Sequence, residues 1–149
     1  MVRSNKASLK SHLRGLLAAI AGAGYLSGCS LFFGDATPKM SVSPTIPAAE
    51  STVRFAKATN DNTSIDLKVK HLAQPEKLTP PAQNYVVWVR SSKTAPPQNI
   101  GALSVDKNLT GTLQTVTSLH AFELFITGEA SGQVQQPAGP PLMWTEYTK

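Results

Sequence analysis

Cysteine is almost missing from this 149-residue sequence, which contains one such residue, Cys29. A single cysteine makes an intramolecular disulfide impossible and excludes zinc sites built from several thiolates. A lone cysteine can still be a nucleophile, a metal ligand, a small buried hydrophobic residue or a point of chemical attachment. The residues that flank Cys29 have to decide among these four roles.

Acidic residues are absent from the first 28 positions, which contain Arg3, Lys6, Lys10 and Arg14. The formal net charge of +5 is therefore concentrated at the N-terminus, and positions 29–149 are nearly neutral. They contain no basic stripe of the kind that a nucleic-acid backbone would require. We therefore expect no nucleic-acid partner.

A long hydrophobic run is also lacking, because the apolar stretch at positions 15–25 is shorter than the roughly 20 residues that span a bilayer core. A basic start, a short apolar stretch and small residues before Cys29 are the three parts of a secretion signal. The last part reads "LSGC" (26–29) and resembles the lipobox of bacterial lipoproteins. An ordinary signal peptide, or a short uncleaved membrane helix with an incidental cysteine, is the alternative.

The lipobox resemblance implies that residues 1–28 are a signal peptide, cleaved between Gly28 and Cys29. Cys29 would carry the lipid and attach the chain to a membrane. The implied location is the bacterial cell envelope, with the domain facing the periplasm or the exterior. Ser30 stands where an aspartate would resemble an inner-membrane retention signal, which favours the outer membrane if the organism has two membranes.

Residues 29–49 contain three prolines and no sustained periodicity, which predicts a tether between the lipid and a domain. A flexible chain of this length spans on the order of 25 Å. Leu31, Phe32 and Phe33 within it would lie against lipid headgroups or pack into the domain. The remaining residues, 50–149, are about the size of one compact domain.

The domain lacks any convincing helical period, and its patterns are those of strands. Ile65, Leu67 and Val69 alternate with polar residues, which is typical of a strand with one buried face. The run 84–90 is apolar at nearly every position, which predicts a central strand covered on both faces with Trp88 in the core. We therefore predict an all-β fold, an antiparallel β-sandwich of immunoglobulin-like size. The expected strands are 52–58, 63–72, 84–90, 101–105, 111–117, 121–127 and 142–147.

Residues 85–143 resemble the extracytoplasmic C-terminal domain of anti-sigma-K-type factors. The resemblance lies in "YVVWV", a "GAL" strand, a "GTL" strand, an "F-x-L-x-I-T" strand and a closing "GE" followed by "P-x-G-P-x-L". It implies a sandwich with a sensor-like role. Factors of that type also have a sigma-binding region and a transmembrane helix before the sandwich. A lipobox stands in their place here.

Residues for catalysis are few, and no nucleophile elbow, phosphate-binding glycine loop or H-E-x-x-H motif occurs. We expect His71 to be partly buried at a strand end and His120 to be solvated in a turn. Glu123 should face solvent, and Glu129 should be structural or solvated in a turn. A metal site from the two histidines and a carboxylate has no supporting ligand spacing. We therefore expect a protein that is not an enzyme, with no cofactor and no metal.

Trp144 and Tyr147 are the candidate binding surface near the C-terminus; the alternative is that they cap the end of the sandwich core. The leading hypothesis is a lipid-anchored extracytoplasmic binding or sensory module with a protein partner in the cell envelope. The alternative is a structural accessory lipoprotein of an envelope or secretion assembly.

Overall fold

The computed structural model describes residues 38–149, which form two antiparallel β-sheets, and the predicted sandwich is confirmed. Within these residues there is no α-helix, and so none that could cross a membrane. Short 3-10 turns lie at Thr59–Asp61 and Pro75–Lys77. The strands are β1 (Ser41–Val42), β2 (Glu50–Lys57), β3 (Thr63–Lys70), β4 (Asn84–Arg90), β5 (Gln98–Ala102), β6 (Ser104–Val105), β7 (Gly111–Thr117), β8 (Ala121–Glu129) and β9 (Met143–Thr148).

One sheet has five strands in the order β1-β9-β8-β4-β5, and the other has four in the order β2-β3-β7-β6. The predicted strand at 101–105 is wrong as a single element, because β5 and β6 belong to different sheets. Gly101 has a φ of +134°, and the β4–β5 register shifts beside it. Buried Leu103 then carries the chain from one sheet to the other.

The interior between the sheets follows the predicted alternation. Ile65, Leu67 and Val69 of β3 are fully buried, and Val53 of β2 lies directly opposite Leu67. Apolar side chains on alternate positions face the other sheet, where burial of each is worth about 1.5–3 kcal/mol. This packing holds the two sheets face to face.

Strand β4 is covered on both faces, as predicted, but Trp88 does not lie between the sheets. Tyr85, Val87 and Val89 belong to the main core, whereas Trp88 forms a second cluster with Val86 and Phe125. This second cluster lies on the outer face of the five-stranded sheet, since strand neighbours point to opposite faces. The segment 130–142 between β8 and β9 covers it through Val134.

The N-terminal boundary of the domain differs from the prediction. Met40, Ile46 and Ala49 are buried in the main core, and β1 pairs with β9. The Met40 amide also donates to the Ser51 hydroxyl at 2.8 Å. The domain therefore includes residues 40–49, and the tether expected over 29–49 does not extend to Ala49. The prolines of this segment interrupt any hydrophobic periodicity, yet its apolar residues still close one side of the sandwich.

Candidate interaction surface

Trp144 and Tyr147 lie on opposite faces of β9, so the joint patch predicted from the sequence is wrong. Tyr147 packs in the core, with its ring centroid 4.3 Å from that of Phe55 and 5.3 Å from that of Phe122. It caps one end of the core, which was the alternative role. Trp144 points outward and is 37 % exposed. Residues three apart cannot share a face of a regular strand with a period of two.

Three aromatic residues form a row across the outer face of the five-stranded sheet. Trp144 of β9 lies opposite Phe125 of β8, which lies opposite Trp88 of β4. The rings of Trp88 and Phe125 are stacked, with centroids 6.3 Å apart and planes 16° apart. Phe125 is 2 % exposed and Trp88 is fully buried. Trp144 is therefore the exposed end of a buried row, which we call the outer aromatic row.

A buried polar chain fastens segment 130–142 over the outer aromatic row. The Trp88 indole donates to the Thr127 hydroxyl at 2.8 Å, and that hydroxyl donates to the Glu129 carboxylate at 2.6 Å. The Ala138 amide donates to both carboxylate oxygens at 3.1 Å. Each buried polar group thus has a partner, which avoids a large desolvation cost.

Glu129 has a structural role, but the predicted turn is not where it lies. It is the last residue of β8 and is 1 % exposed. Its carboxylate accepts the Thr127 hydroxyl and the Ala138 amide. The turn begins after Glu129. The Glu129 carboxylate accepts the Ala138 amide from the far side of that turn.

Asn99 fastens the same segment at a second point. Its side-chain amide donates to the carbonyls of Gly132 at 3.0 Å and Val134 at 2.8 Å. Its carbonyl oxygen accepts the Gly101 amide at 2.9 Å. Asn99 lies in β5. Sequence reasoning missed it, because an asparagine shortly after two prolines has no distinctive local signal. Asn99 and Glu129 together hold segment 130–142 against the sheet.

Charged side chains lie beside the row at the β4 end. The Arg90 Nε donates to a Glu123 carboxylate oxygen at 2.6 Å, and the Arg90 guanidinium lies 4.9 Å from the Phe125 ring centroid. Glu123 was predicted to face solvent, yet its side chain is 11 % exposed because Arg90 covers it. Glu146 of β9 lies directly opposite Glu123. A shallow groove of about 220 Å³ runs past both carboxylates.

The two histidines of the described region are both exposed. For His71 the predicted partial burial is wrong. β3 ends at Lys70, and His71 has a φ of 56°, which turns the chain so that Leu72 takes the buried position. His120 is solvated in a turn, as predicted, with its Nε2 3.6 Å from an Asp61 oxygen. Residues 38–149 contain no cluster of three or more potential metal ligands.

Asp61 joins three parts of the chain at the same end of the sandwich. Its carboxylate lies 2.6 Å from the Lys149 Nζ and 3.3 Å from the Lys57 Nζ. The hydrogen bonds from Lys149 and then Lys57 hold the pKa of Asp61 below its usual value. The Asp61 and Lys57 side chains are more than half exposed and that of Lys149 is 34 % exposed, so the cluster is an electrostatic link and no enclosed site.

Comparison with known proteins found no relative: no family model matches the chain, and neither the curated proteins nor the solved structures gave a significant match. Gly28, Cys29 and the apolar residues 31–33 lie outside the described residues. The signal peptide, its cleavage and the lipid on Cys29 therefore stay predictions. The candidate surface is therefore defined only by the geometry around Trp144.

Proposed function

We propose that this protein is a lipid-anchored extracytoplasmic interaction module that binds a protein partner of the bacterial envelope through the surface around Trp144. The observation that carries this proposal is a large exposed tryptophan on the outer face of the five-stranded sheet, directly opposite the buried Phe125. Trp144 is 37 % exposed while Phe125 behind it is buried. Tryptophan is enriched at the energetic centres of protein interfaces, and its large, rigid ring system provides contact area at a low cost in conformational entropy.

The position of Trp144 relative to the anchor supports the proposal. Ser41 of β1 lies opposite Trp144 in the ladder. About a dozen residues separate Cys29 from Ser41, and a fully extended chain of that length reaches on the order of 40 Å. The binding surface thus lies beside the strand through which the domain connects to its lipid, which suits a partner in the same membrane.

The resemblance to anti-sigma-K-type C-terminal domains is the basis for a sensory form of this role. The matching "GE" and "P-x-G-P-x-L" elements are in contact here, since Glu129 accepts the Ala138 amide. Such elements build the fold, and a fold does not by itself define a ligand. The proposed partner is an extracytoplasmic protein, because the proposed lipid anchor would place the domain outside the cytoplasm.

The anchoring half of the proposal is tested with Cys29→Ala in the full chain, expressed in a bacterium that processes lipoproteins. We expect the variant to lose the lipid mass at its N-terminus and to leave the membrane fraction, whereas Ser30→Ala keeps both. If Cys29→Ala stays membrane-bound and its N-terminal mass differs from that of the unsubstituted chain only by the substituted side chain, the lipid anchor is wrong. The binding half is tested by photo-crosslinking from position 144 in intact cells.

A further inference from the structure

Strand β2 is an unusual sheet edge. It is eight residues long, contains no proline and pairs with β3 in one uninterrupted register from Glu50–Lys70 to Lys57–Thr63. The other edges of the described sandwich are short or irregular. β1 and β6 have two residues each, and β5 has five with a register shift. Short or bulged edges discourage strand pairing, whereas a long regular edge permits it.

The outer side of β2 has no backbone partner in the part of the chain that the structure describes. Within residues 38–149, the backbone of Glu50–Lys57 forms hydrogen bonds only in its ladder with β3. The segment that leads into β1 contacts β2 through a side chain, since Met40 donates to the Ser51 hydroxyl. Ser51 points inward, so this contact closes the core and is not a strand pairing.

The exposed charged side chains of β2 and β3 indicate which strand can pair along the outer side of β2. Glu50 lies opposite Lys70 and Arg54 opposite Asp66, and all four side chains are exposed. In a two-fold antiparallel pairing of two β2 strands, facing residues must lie on the same face of the sheet. With Thr52 on the axis, Glu50 faces Arg54 of the second copy. The row across the joint is then Lys70, Glu50, Arg54 and Asp66, which alternates in sign.

The other registers near the centre of β2 lack this match. With Val53 on the axis, Arg54 would face Thr52 and Glu50 would face Ala56, so no opposite charges would meet. With Arg54 on the axis, the two Arg54 side chains would face each other, and like charges directly opposite are destabilising. The alternating row occurs twice in the Thr52-centred register because of the symmetry, which is typical of an isologous contact. Charge complementarity therefore selects both the partner and the register.

We propose that a second copy of this chain pairs antiparallel along β2, with Thr52 at the two-fold axis, to form a continuous eight-stranded sheet. This contact uses the four-stranded sheet and leaves Trp144 on the other sheet exposed. It is independent of the proposed function, so the dimer and the partner-binding surface can fail separately.

The first test uses Thr52→Cys in the full chain with a short bifunctional thiol reagent. We expect a covalent dimer from Thr52→Cys at protein concentrations where Thr112→Cys gives none. Thr112 is the matched control, since it is an exposed threonine two strands away in the same cross-strand row. The unsubstituted chain reports any crosslink through Cys29. Equal crosslinking at both threonines, or crosslinking through Cys29 alone, would overturn the proposal.

The second test separates pairing between copies from contacts within one copy. Glu50→Arg or Arg54→Glu alone places like charges across the joint, and each should weaken dimerisation about tenfold. The double exchange restores opposite charges between copies while leaving like charges opposite Lys70 and Asp66 within each copy. We expect it to recover the Thr52→Cys dimer. The proposal is contradicted if the chain stays monomeric in every one of these variants. It is equally contradicted if residues 30–37 of the same chain, and not a second copy, pair with β2.

Discussion

The carboxylate of Glu129 accepts the backbone amide of Ala138 through both of its oxygens, each at 3.1 Å. The two residues stand at opposite ends of the turn that follows β8, and the contact folds segment 130–142 back over the sheet. The Thr127 hydroxyl and the Trp88 indole extend the same chain of hydrogen bonds inward. One buried acid thus links the turn after β8 to Trp88 in the outer aromatic row.

Replacing Glu129 should destabilise the domain far more than replacing an exposed acid. Glu129→Ala leaves the Thr127 hydroxyl and the Ala138 amide without their acceptor, which should cost about 3 kcal/mol of unfolding free energy. Glu129→Gln keeps an acceptor oxygen and should cost about 1 kcal/mol. Urea denaturation of each variant measures these differences.

Glu146→Ala is the control for that comparison, because Glu146 is exposed on the neighbouring strand. Its unfolding free energy should stay within about 0.5 kcal/mol of the unsubstituted chain. A Glu129→Ala protein as stable as Glu146→Ala would show that the buried polar chain does not hold the segment.

Asn99→Asp should loosen segment 130–142 without unfolding the sheets. The change removes the donor that binds the carbonyls of Gly132 and Val134 and places carboxylate oxygens near them. Amides of this segment should exchange with deuterium about tenfold faster, while β2 and β3 keep their protection. Asn108→Asp, at an exposed turn position, should change neither. Unchanged exchange in Asn99→Asp would argue against the second anchor.

The Asp61 cluster predicts a pH dependence of stability. Lys149 and Lys57 hold the pKa of folded Asp61 below its usual value of 3.8. Its contribution to stability is therefore present above pH 3.8 and is lost as the pH falls through the lowered folded pKa. Asp61→Asn should be less stable than the unsubstituted chain at pH 7, and the difference should shrink at low pH.

High salt should reduce the Asp61 effect as well, because the cluster is exposed and screened. Thermal melts at pH 7 and pH 2.5, with and without 1 M salt, provide the measurement. A melting-temperature difference that persists at low pH would mean that the substitution acts through packing rather than charge.

Much of the fold could be predicted from the sequence where burial imposes a strict period. Ile65, Leu67 and Val69 alternate because only one face of β3 is covered, and β4 is apolar throughout because both faces are covered. Predictions failed where the covering element is distant in sequence. Met40 and Ile46 close the core from a segment without any period, and Leu103 changes sheets after a single glycine turn.

The candidate surface was predicted only in part. Trp144 was identified from its residue type. Grouping it with Tyr147 was wrong, because side chains alternate between the two faces of a strand and residues three apart lie on opposite faces. Glu129 lies in a quoted motif, yet its role depends on Ala138, which only the folded turn brings close. His71 was expected on the buried face of β3, but its positive φ turns its side chain to solvent. The sequence around His71 does not indicate this backbone conformation.

A photo-crosslinking amino acid at position 144 of the full chain, in intact cells, tests the central claim most directly. The matched control is position 116, because Val116 is 55 % exposed on the outer face of the other sheet. We predict a discrete covalent adduct with an envelope protein from position 144 and none from position 116, and that the adduct is lost with Cys29→Ala. No adduct at 144, or the same adducts from both positions, would contradict binding through the Trp144 surface.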